Sequence, residues 1–370
     1  MEDFPVNKMR ITLMVFVLGL CLSACDQPAA LSTPTSSQLP VPQISVVSPT
    51  PTQQASPTRT PVAIFTLTPS ATPMLFPMAI EAMRQGFYPG SPIVFVEELD
   101  PGLNYRRYYT YYLSEGLKIY ALLTVPNDEM PAGGWPGIVF NHGYIPPDVY
   151  RTTERYIAYV DQLASHGYVV FRIDYRGHDN SDGPASGAYG DPGYQVDVLN
   201  AVASLKRFDQ VNPEKIGMWG HSMGGYLTLR AMVINKDIKV GVIWAGVVAS
   251  YPDMLYNWRR VSSIRPTPRP GSRGWRTWVD EFGSPEENPA FWNSLSANSY
   301  LADLSGPVQL HHGTKDTDVP LEFSQTLAGQ VQAVGGAVEL HIYPDDNHNI
   351  SHYFMMAMNR TVAFFDQYLK

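Results

Sequence analysis

The sequence predicts an α/β fold, with a mostly parallel central sheet flanked by helices over residues 79–370. The first observation is that, from residue 137 onward, apolar runs of strand length alternate with longer stretches of helical period. Strands that alternate with helices are joined by right-handed crossovers, which give parallel strands buried on both faces. The second observation is a hydrophobic content of 44% in 370 residues, which is enough for one large core.

The predicted strands begin with an antiparallel group. Residues 105–125 have the composition of a strand but are interrupted by Ser114-Glu115-Gly116, which predicts a hairpin, and residues 93–97 predict a strand before it. Further strands are predicted at 137–141, 169–174, 215–219, 240–245, 308–311 and 338–343. Helices are predicted at 152–166, 195–208, 223–234, 321–334 and from residue 351 to the end of the chain.

Residues 250–300 interrupt this alternation and carry no clear period. An insertion of this length on the ligand-binding side of a sheet predicts a cap. The insertion is rich in tryptophan and arginine, which leaves two interpretations open. The favoured one is a folded cap whose tryptophans pack against the core and whose arginines are solvated. The other is recognition of an acidic or sugar substrate by guanidinium pairing or ring stacking.

The N-terminus has the features of a secretory signal. Lys8 and Arg10 precede an apolar run at 11–22 that is too short to span a bilayer comfortably. The run ends in Leu22-Ser23-Ala24-Cys25, which resembles a bacterial lipobox. We therefore expect residues 1–25 to be a lipoprotein signal peptide, with Cys25 lipidated, the protein anchored to the bacterial cell membrane and the catalytic domain outside the cytoplasm. An ordinary signal or an uncleaved anchor helix is the alternative.

Residues 26–78 are rich in proline, serine and threonine and poor in large apolar side chains, which predicts a disordered linker. The net charge of −8 provides no basic surface and argues against a nucleic-acid partner. The two cysteines, Cys21 and Cys25, both fall in the signal region, so we expect neither a disulfide nor a thiolate metal site. With no H-E-x-x-H motif either, we expect neither metal nor cofactor.

The strongest chemical signal is Gly220-His221-Ser222-Met223-Gly224, a G-x-S-x-G pentapeptide. It lies between a predicted strand and a predicted helix, which is the context of the nucleophile elbow in the α/β-hydrolase fold. At such an elbow the serine is held in a strained turn, and flanking glycines leave room for it. Ser222 is therefore the candidate nucleophile. The alternative is a glycine-rich turn with an idle serine.

A serine hydroxyl needs a base to accept its proton, and in this fold the acid and the histidine follow the serine in that order along the chain. Two loops that follow predicted strands supply such residues. The first is His312-Gly313-Thr314-Lys315-Asp316-Thr317-Asp318 and the second is Pro344-Asp345-Asp346-Asn347-His348. Both would open at the carboxyl ends of parallel strands, where open α/β sheets build their sites.

These motifs resemble the catalytic domain of the prolyl oligopeptidase family and its dienelactone-hydrolase-like relatives. The resemblance covers roughly residues 110–370 and includes Asp174-Tyr175-Arg176-Gly177. It implies that Asp316 is the acid and His348 the base of a catalytic triad with Ser222. The sequence departs from the family where His142-Gly143-Tyr144 replaces His-Gly-Gly, and too few residues precede this domain to build a propeller.

Within that triad, Asp316 would orient the imidazole, and His348 would carry the proton from Ser222 to the leaving group. The backbone N–H groups of Met223 and Tyr144 are the candidate oxyanion hole.

Several other residues remain alternatives for these roles. Asp318 is a second candidate acid, whereas Asp345 and Asp346 are better explained as turn and capping residues. His221 is expected to pack beside the nucleophile. The alternative histidines to His348 are His311, His312, His341 and His352.

The sequence thus predicts a serine hydrolase that cleaves an ester or amide through an acyl-serine intermediate. The missing propeller and the His-Gly-Tyr loop favour a small-molecule ester slightly over a short peptide. A serine peptidase of exopeptidase type is the alternative, and a catalytically silent binding lipoprotein is a second one.

Overall fold

The computed structural model describes residues 75–258 and 274–370, and within them nine strands form one sheet. The strands are β1 (Val94–Leu99), β2 (Tyr105–Ser114), β3 (Leu117–Pro126), β4 (Trp135–Asn141), β5 (Val169–Ile173), β6 (Val211–His221), β7 (Ile238–Trp244), β8 (Val308–Gly313) and β9 (Val338–Tyr343). Their order in the sheet is β1-β2-β3-β5-β4-β6-β7-β8-β9. The pairs from β1 to β5 are antiparallel and all later pairs are parallel, which confirms the predicted fold class.

Helices cover both faces of the sheet. They are α1 (Ile80–Arg84), α2 (Ile157–Ser165), α3 (Gly193–Lys206), α4 (Met223–Ile234), α5 (Tyr251–Tyr256), α6 (Trp278–Phe282), α7 (Pro289–Leu295), α8 (Leu321–Ala333) and α9 (Phe354–Leu369). No helix in residues 75–258 or 274–370 is both long and apolar enough to cross a bilayer.

The two faces of the sheet hold two separate hydrophobic cores. On β4, Val139 belongs to the core that contains α3, α4 and α8. Its neighbours Ile138 and Phe140 belong to the core that contains α2 and α9. Successive side chains of a strand point to opposite faces, so a strand covered on both sides is apolar throughout. This explains why β4 is buried over its whole length and why its sequence shows no alternation.

Helix α2 begins five residues later than the predicted start at residue 152. The Thr152 hydroxyl lies 2.7 Å from a carboxylate oxygen of Asp174 and 2.9 Å from one of Asp179. Tyr156, which precedes the helix, has a φ of 57° and therefore a left-handed backbone that no α-helix can continue through. Bonds to distant residues thus hold 152–156 outside the helix.

The predicted cap is a set of short helices where the structure describes it. Helices α5, α6 and α7 lie within 250–300, and Trp278 and Trp292 of this region join the core that contains α4. The packing of these two tryptophans agrees with the favoured prediction, a folded cap whose tryptophans pack against the core. The arginines of the cap at 259, 260, 265, 269 and 273 lie outside the described residues, as do Cys25, the predicted signal and the linker up to residue 74.

The folded domain begins before the predicted boundary at residue 79. The ring of Phe76 lies 5.0 Å from that of Trp278 and 5.3 Å from that of Phe291. Met78 is 1% exposed. Both residues lie in the range predicted as a linker from its composition, but they pack with the core.

Candidate active site

The loop between β6 and α4 forms a tight turn at Ser222. Ser222 has a φ of 56° and a ψ of −116°, a backbone conformation that side chains rarely adopt. A Cβ at Gly220 would lie 2.3 Å from the Gly224 carbonyl oxygen, and one at Gly224 would lie 2.0 Å from that of Asn141. The two glycines are therefore required for the turn, which places the Ser222 side chain at the carboxyl end of β6 beside the start of α4.

Asp316 and His348 come together from the loops that follow β8 and β9. Nδ1 of His348 donates a hydrogen bond to Oδ2 of Asp316 over 2.7 Å. The Asp316 side chain is 1% exposed, and its Oδ1 accepts the backbone N–H groups of Asp318 and Val319 at 2.8 and 3.0 Å. Both oxygens of the Asp316 carboxylate thus accept hydrogen bonds, which fixes the orientation of this group.

A second histidine also contacts the Asp316 carboxylate. Nε2 of His312 lies 3.1 Å from Oδ2 of Asp316, and both side chains are buried. Burial raises the pKa of the Asp316 carboxyl, but the hydrogen bonds from His312 and His348 outweigh it and hold that pKa well below its ordinary value. Asp316 is therefore ionised throughout the neutral range. His312, predicted only as an alternative base, therefore contacts the acid, and no sequence pattern indicated this contact.

Ser222 and His348 line one cavity of about 460 Å³, together with Gly143, Tyr144 and His221. The Ser222 hydroxyl makes no hydrogen bond to any residue that the structure describes. Hydrogen bonds between nucleophile and base are often long or poorly aligned in free enzymes and tighten when substrate binds. The structure thus joins two of the three predicted residues directly and brings the third to the same cavity.

The loop after β4 passes close to the nucleophile. A Cβ at Gly143 would lie 3.2 Å from the Ser222 Cβ, so this loop runs directly past the serine. The Gly143 N–H is already used, since it donates to the Tyr156 hydroxyl over 2.9 Å. Those of Tyr144 and Met223 have no partner in the described parts of the chain. Met223 is also the first residue of α4, where backbone N–H groups lack helical acceptors. Both are therefore available to an oxyanion.

His221 links this loop to the loop of His348. Its Nε2 lies 3.0 Å from the His348 carbonyl oxygen, and its Nδ1 lies 2.7 Å from the Tyr156 hydroxyl. Burial, with a further contribution from His348, lowers the pKa of His221 to about 3, so the ring is neutral. A carbonyl can only accept, so Nε2 carries the hydrogen and Nδ1 accepts one from Tyr156. Tyr156 in turn accepts the Gly143 N–H.

The competing candidates occupy other positions. Asp318 offers Asp316 its backbone N–H. Asp346 accepts the N–H groups of Asn347, His352 and Tyr353 before α9, as expected for a capping residue. His311 is buried between Gln309 and Tyr343.

One group of ligand atoms near the site could hold a cation. Single ligand atoms of Asp316, Asp318 and His348 lie within 4.8 Å of one another. Two of these side chains already bond to each other, Nδ1 of His348 to Oδ2 of Asp316. A metal bound there would replace the hydrogen bond that orients the imidazole.

Comparisons with known proteins place these residues in a wider context. A model of the prolyl oligopeptidase family matches residues 155–370. The uncharacterized peptidase YtmA of Bacillus subtilis (strain 168) is 27% identical over 264 residues, covering 71% of this chain and 92% of the relative. Human dipeptidyl peptidase 8 is 25% identical over 256 residues, covering 65% of this chain and 26% of the relative.

Solved structures show the same fold. The acylaminoacyl peptidase of Pyrococcus horikoshii superposes with a TM-score of 0.57 at 24% identity, covering 72% of this chain and 42% of that one. The chain thus spans nearly all of one relative but less than half of the two longer ones.

Proposed function

The chain belongs to the prolyl oligopeptidase family and is a serine hydrolase, and from this premise we propose that it is a serine peptidase acting on short peptides. The slight preference for esters that the sequence suggested receives no support from the relatives, whose names describe peptidases. The peptidase alternative fits them better. Est1E of Butyrivibrio proteoclasticus superposes with a TM-score of 0.51 at 20% identity, which is a likeness of fold alone.

In the proposed mechanism, Ser222 Oγ attacks the scissile carbonyl carbon while Nε2 of His348 takes the hydroxyl proton. The Asp316 carboxylate stabilises the imidazolium. The N–H groups of Tyr144 and Met223 stabilise the oxyanion. The C–N bond then breaks, and the amine leaves with the proton from His348. Water next attacks the acyl carbon and gives a proton to His348; the bond from this carbon to Ser222 Oγ breaks, Oγ takes that proton back, and the acid leaves.

The observation that carries this proposal is the bond between Nδ1 of His348 and Oδ2 of Asp316, in a cavity shared with Ser222. Since Nδ1 gives its hydrogen to the carboxylate, Nε2 of the neutral imidazole has a free lone pair. This nitrogen is the base that a serine nucleophile requires. A metal bridging Asp316 and His348 would abolish that arrangement.

A panel of matched substrates tests the proposal on the full-length protein. The acyl parts are aminoacyl and dipeptidyl groups, each with a free or a blocked amine. Each acyl part is offered both as a p-nitroanilide and as a p-nitrophenyl ester. We expect the wild type to hydrolyse both bond types and to be labelled by a fluorophosphonate probe. Ser222→Ala should lose both the hydrolysis and the labelling. Ser351→Ala, which changes an exposed serine nearby, is the control. Hydrolysis of esters with every anilide inert would overturn the peptidase proposal, and a folded protein that resists the probe would indicate a silent binding protein.

We further propose that the protein is exported and anchored to the bacterial membrane through a lipid on Cys25. The support is the order of Lys8, Arg10, the apolar run at 11–22 and Leu22-Ser23-Ala24-Cys25. Residues 26–74 would then separate the enzyme from the membrane surface. Peptides outside the cytoplasm would be the substrates within reach.

A further inference from the structure

Tyr144 lines two cavities. The first, of about 360 Å³, is lined mainly by apolar and aromatic residues, including Tyr189, Met223 and Trp275, and we call it the aromatic cavity. The second, of about 460 Å³, contains Ser222 and His348, and we call it the histidine cavity. A substrate attacked by Ser222 must distribute its acyl part and its leaving group between them.

The chemistry assigns the leaving group to the histidine cavity. The leaving amine takes its proton from His348, so it must lie beside that imidazole when the C–N bond breaks. Among the two cavities, only the histidine cavity has His348 in its wall. The aromatic cavity, which instead includes Met223 of the candidate oxyanion hole, is then left for the acyl part.

The wall of the histidine cavity carries an unbalanced positive charge. Arg155 belongs to this wall, and none of the residues that line it is an aspartate or a glutamate. Arg155 is exposed and makes no ion pair or hydrogen bond with any residue between 75 and 258 or between 274 and 370. The side-chain amide of Asn349, in the same wall, likewise has no partner there.

The arginine of the other cavity provides a contrast. Arg276 donates to the carbonyl oxygens of Leu255 and Met254, and its guanidinium lies 4.9 Å from the Trp275 ring centroid. That side chain is held by the cap. Arg155 has no comparable contact, so its guanidinium donors remain available to a ligand.

We propose that Arg155 recognises a carboxylate on the leaving group, and this rests on the peptidase function proposed above. A guanidinium presents a planar pair of donors that matches a carboxylate, and Asn349 can add a third donor. The carboxylate has two possible sources. It is either the free C-terminus of a single released residue or the side chain of an aspartate or glutamate that follows the scissile bond.

Three substrates that share the best acyl part of the panel above test this inference. Their leaving groups are glycine, glycinamide and glutamic acid α-amide, so two carry a carboxylate and one does not. We expect kcat/KM of the wild type to be about tenfold higher on a carboxylate-bearing substrate than on the glycinamide substrate. The preference should weaken as salt is added, because the guanidinium is exposed.

Variants of Arg155 separate recognition from a general defect. Arg155→Ala should abolish the preference, so that the three substrates are cleaved with similar kcat/KM. Arg155→Lys should retain part of the preference, and Arg155→Glu should reverse it. Arg207→Ala removes an exposed arginine at the end of α3 and is the matched control. A preference for glycine alone identifies the C-terminal carboxylate, and a preference for glutamic acid α-amide alone identifies the side chain.

Equal rates on all three substrates, unchanged in Arg155→Ala, would overturn the role of Arg155 and leave the peptidase proposal standing. A wild type that cleaves none of the three, although its p-nitrophenyl esters are hydrolysed, would overturn the peptidase proposal and this inference with it.

Discussion

The His348 carbonyl oxygen accepts a hydrogen bond from Nε2 of His221, the residue immediately before the nucleophile, over 3.0 Å. The other nitrogen of His221 accepts the hydroxyl of Tyr156, which in turn accepts the N–H of Gly143. A continuous series of hydrogen bonds therefore joins the loop that carries Tyr144 to the loop that carries His348. The relative position of the candidate oxyanion hole and the candidate base depends on it.

Tyr156→Phe tests this connection. The change removes one hydroxyl and leaves both the Gly143 N–H and Nδ1 of His221 without a partner. A hydrogen bond of this kind contributes about 1 kcal/mol, so we expect kcat/KM to fall about fivefold. The loss should be in kcat more than in KM, because the affected groups act in the transition state.

Tyr159→Phe is the matched control, since Tyr159 lines the same cavity and donates to the Asn349 carbonyl oxygen over 3.1 Å at an exposed position. It should change kcat little. Equal effects of the two variants, or a Tyr156→Phe enzyme with unchanged kcat, would contradict a positioning role for Tyr156.

Local sequence pattern predicted the parallel part of the fold well. The bounds of α4 and β9 agree with the prediction to the residue, because apolar composition and flanking turns define both. Strand β6 begins four residues before the predicted start, since Val211 pairs with Trp135 of β4. That pairing depends on a strand about 75 residues away and leaves no local trace.

The active site was also predictable only in part, because some of its contacts join residues that are far apart in the sequence. The order of serine, acid and histidine, with each after a strand, placed Asp316 and His348 in adjacent loops. Tyr156 lies 65 residues from His221 and follows no recognisable motif. Tyr156 has a left-handed φ of 57°, and its hydroxyl bonds to residues distant in the sequence, so the helix predicted from residue 152 was wrong at this residue.

Asp316→Asn tests the assignment of the acid. The amide cannot hold the imidazole in the tautomer that leaves Nε2 free, and a comparable change in other serine hydrolases lowers kcat by about 10⁴-fold. We expect a loss of that order, measured as single-turnover acylation, with the fold retained. Asp318→Asn should keep most activity, because the contact of Asp318 with Asp316 is through its backbone. The opposite ranking of the two variants would identify Asp318 as the acid.

Cys25→Ser tests the proposed anchor. A thioether-linked lipid requires the cysteine sulfur, so the serine variant should be found in the soluble fraction of cells, whereas the wild type stays with the membranes. Cys21→Ser is the control, since that residue would leave with the signal. A Cys25→Ser protein that remains in the membrane fraction would indicate an uncleaved anchor helix.

A buried carboxyl group holds the segment between β4 and α2. Asp174 is fully buried and accepts the hydroxyl groups of Tyr150 and Thr152, each over 2.7 Å. Burial raises the pKa of Asp174 to about 7, and the two hydrogen bonds only partly oppose this. An unfolded aspartate titrates near pH 4, at about 3.9. Between these two values the folded protein keeps a proton that the unfolded chain has lost.

The sign of the pH dependence follows from this difference in bound protons. The contribution of Asp174 to stability is fully present below about pH 4 and is lost as the pH rises through about 7, since the folded state binds more protons in this window. The amide introduced by Asp174→Asn does not titrate, so the free energy of unfolding of the variant relative to the wild type should increase from pH 4 to pH 7 and level off above. Each unit of pKa difference corresponds to about 1.4 kcal/mol, so a rise of a few kcal/mol is expected in urea titrations. Asp128→Asn, at an exposed position, should show no such trend. Parallel profiles for Asp174→Asn and the wild type would mean that folding does not raise the pKa of Asp174.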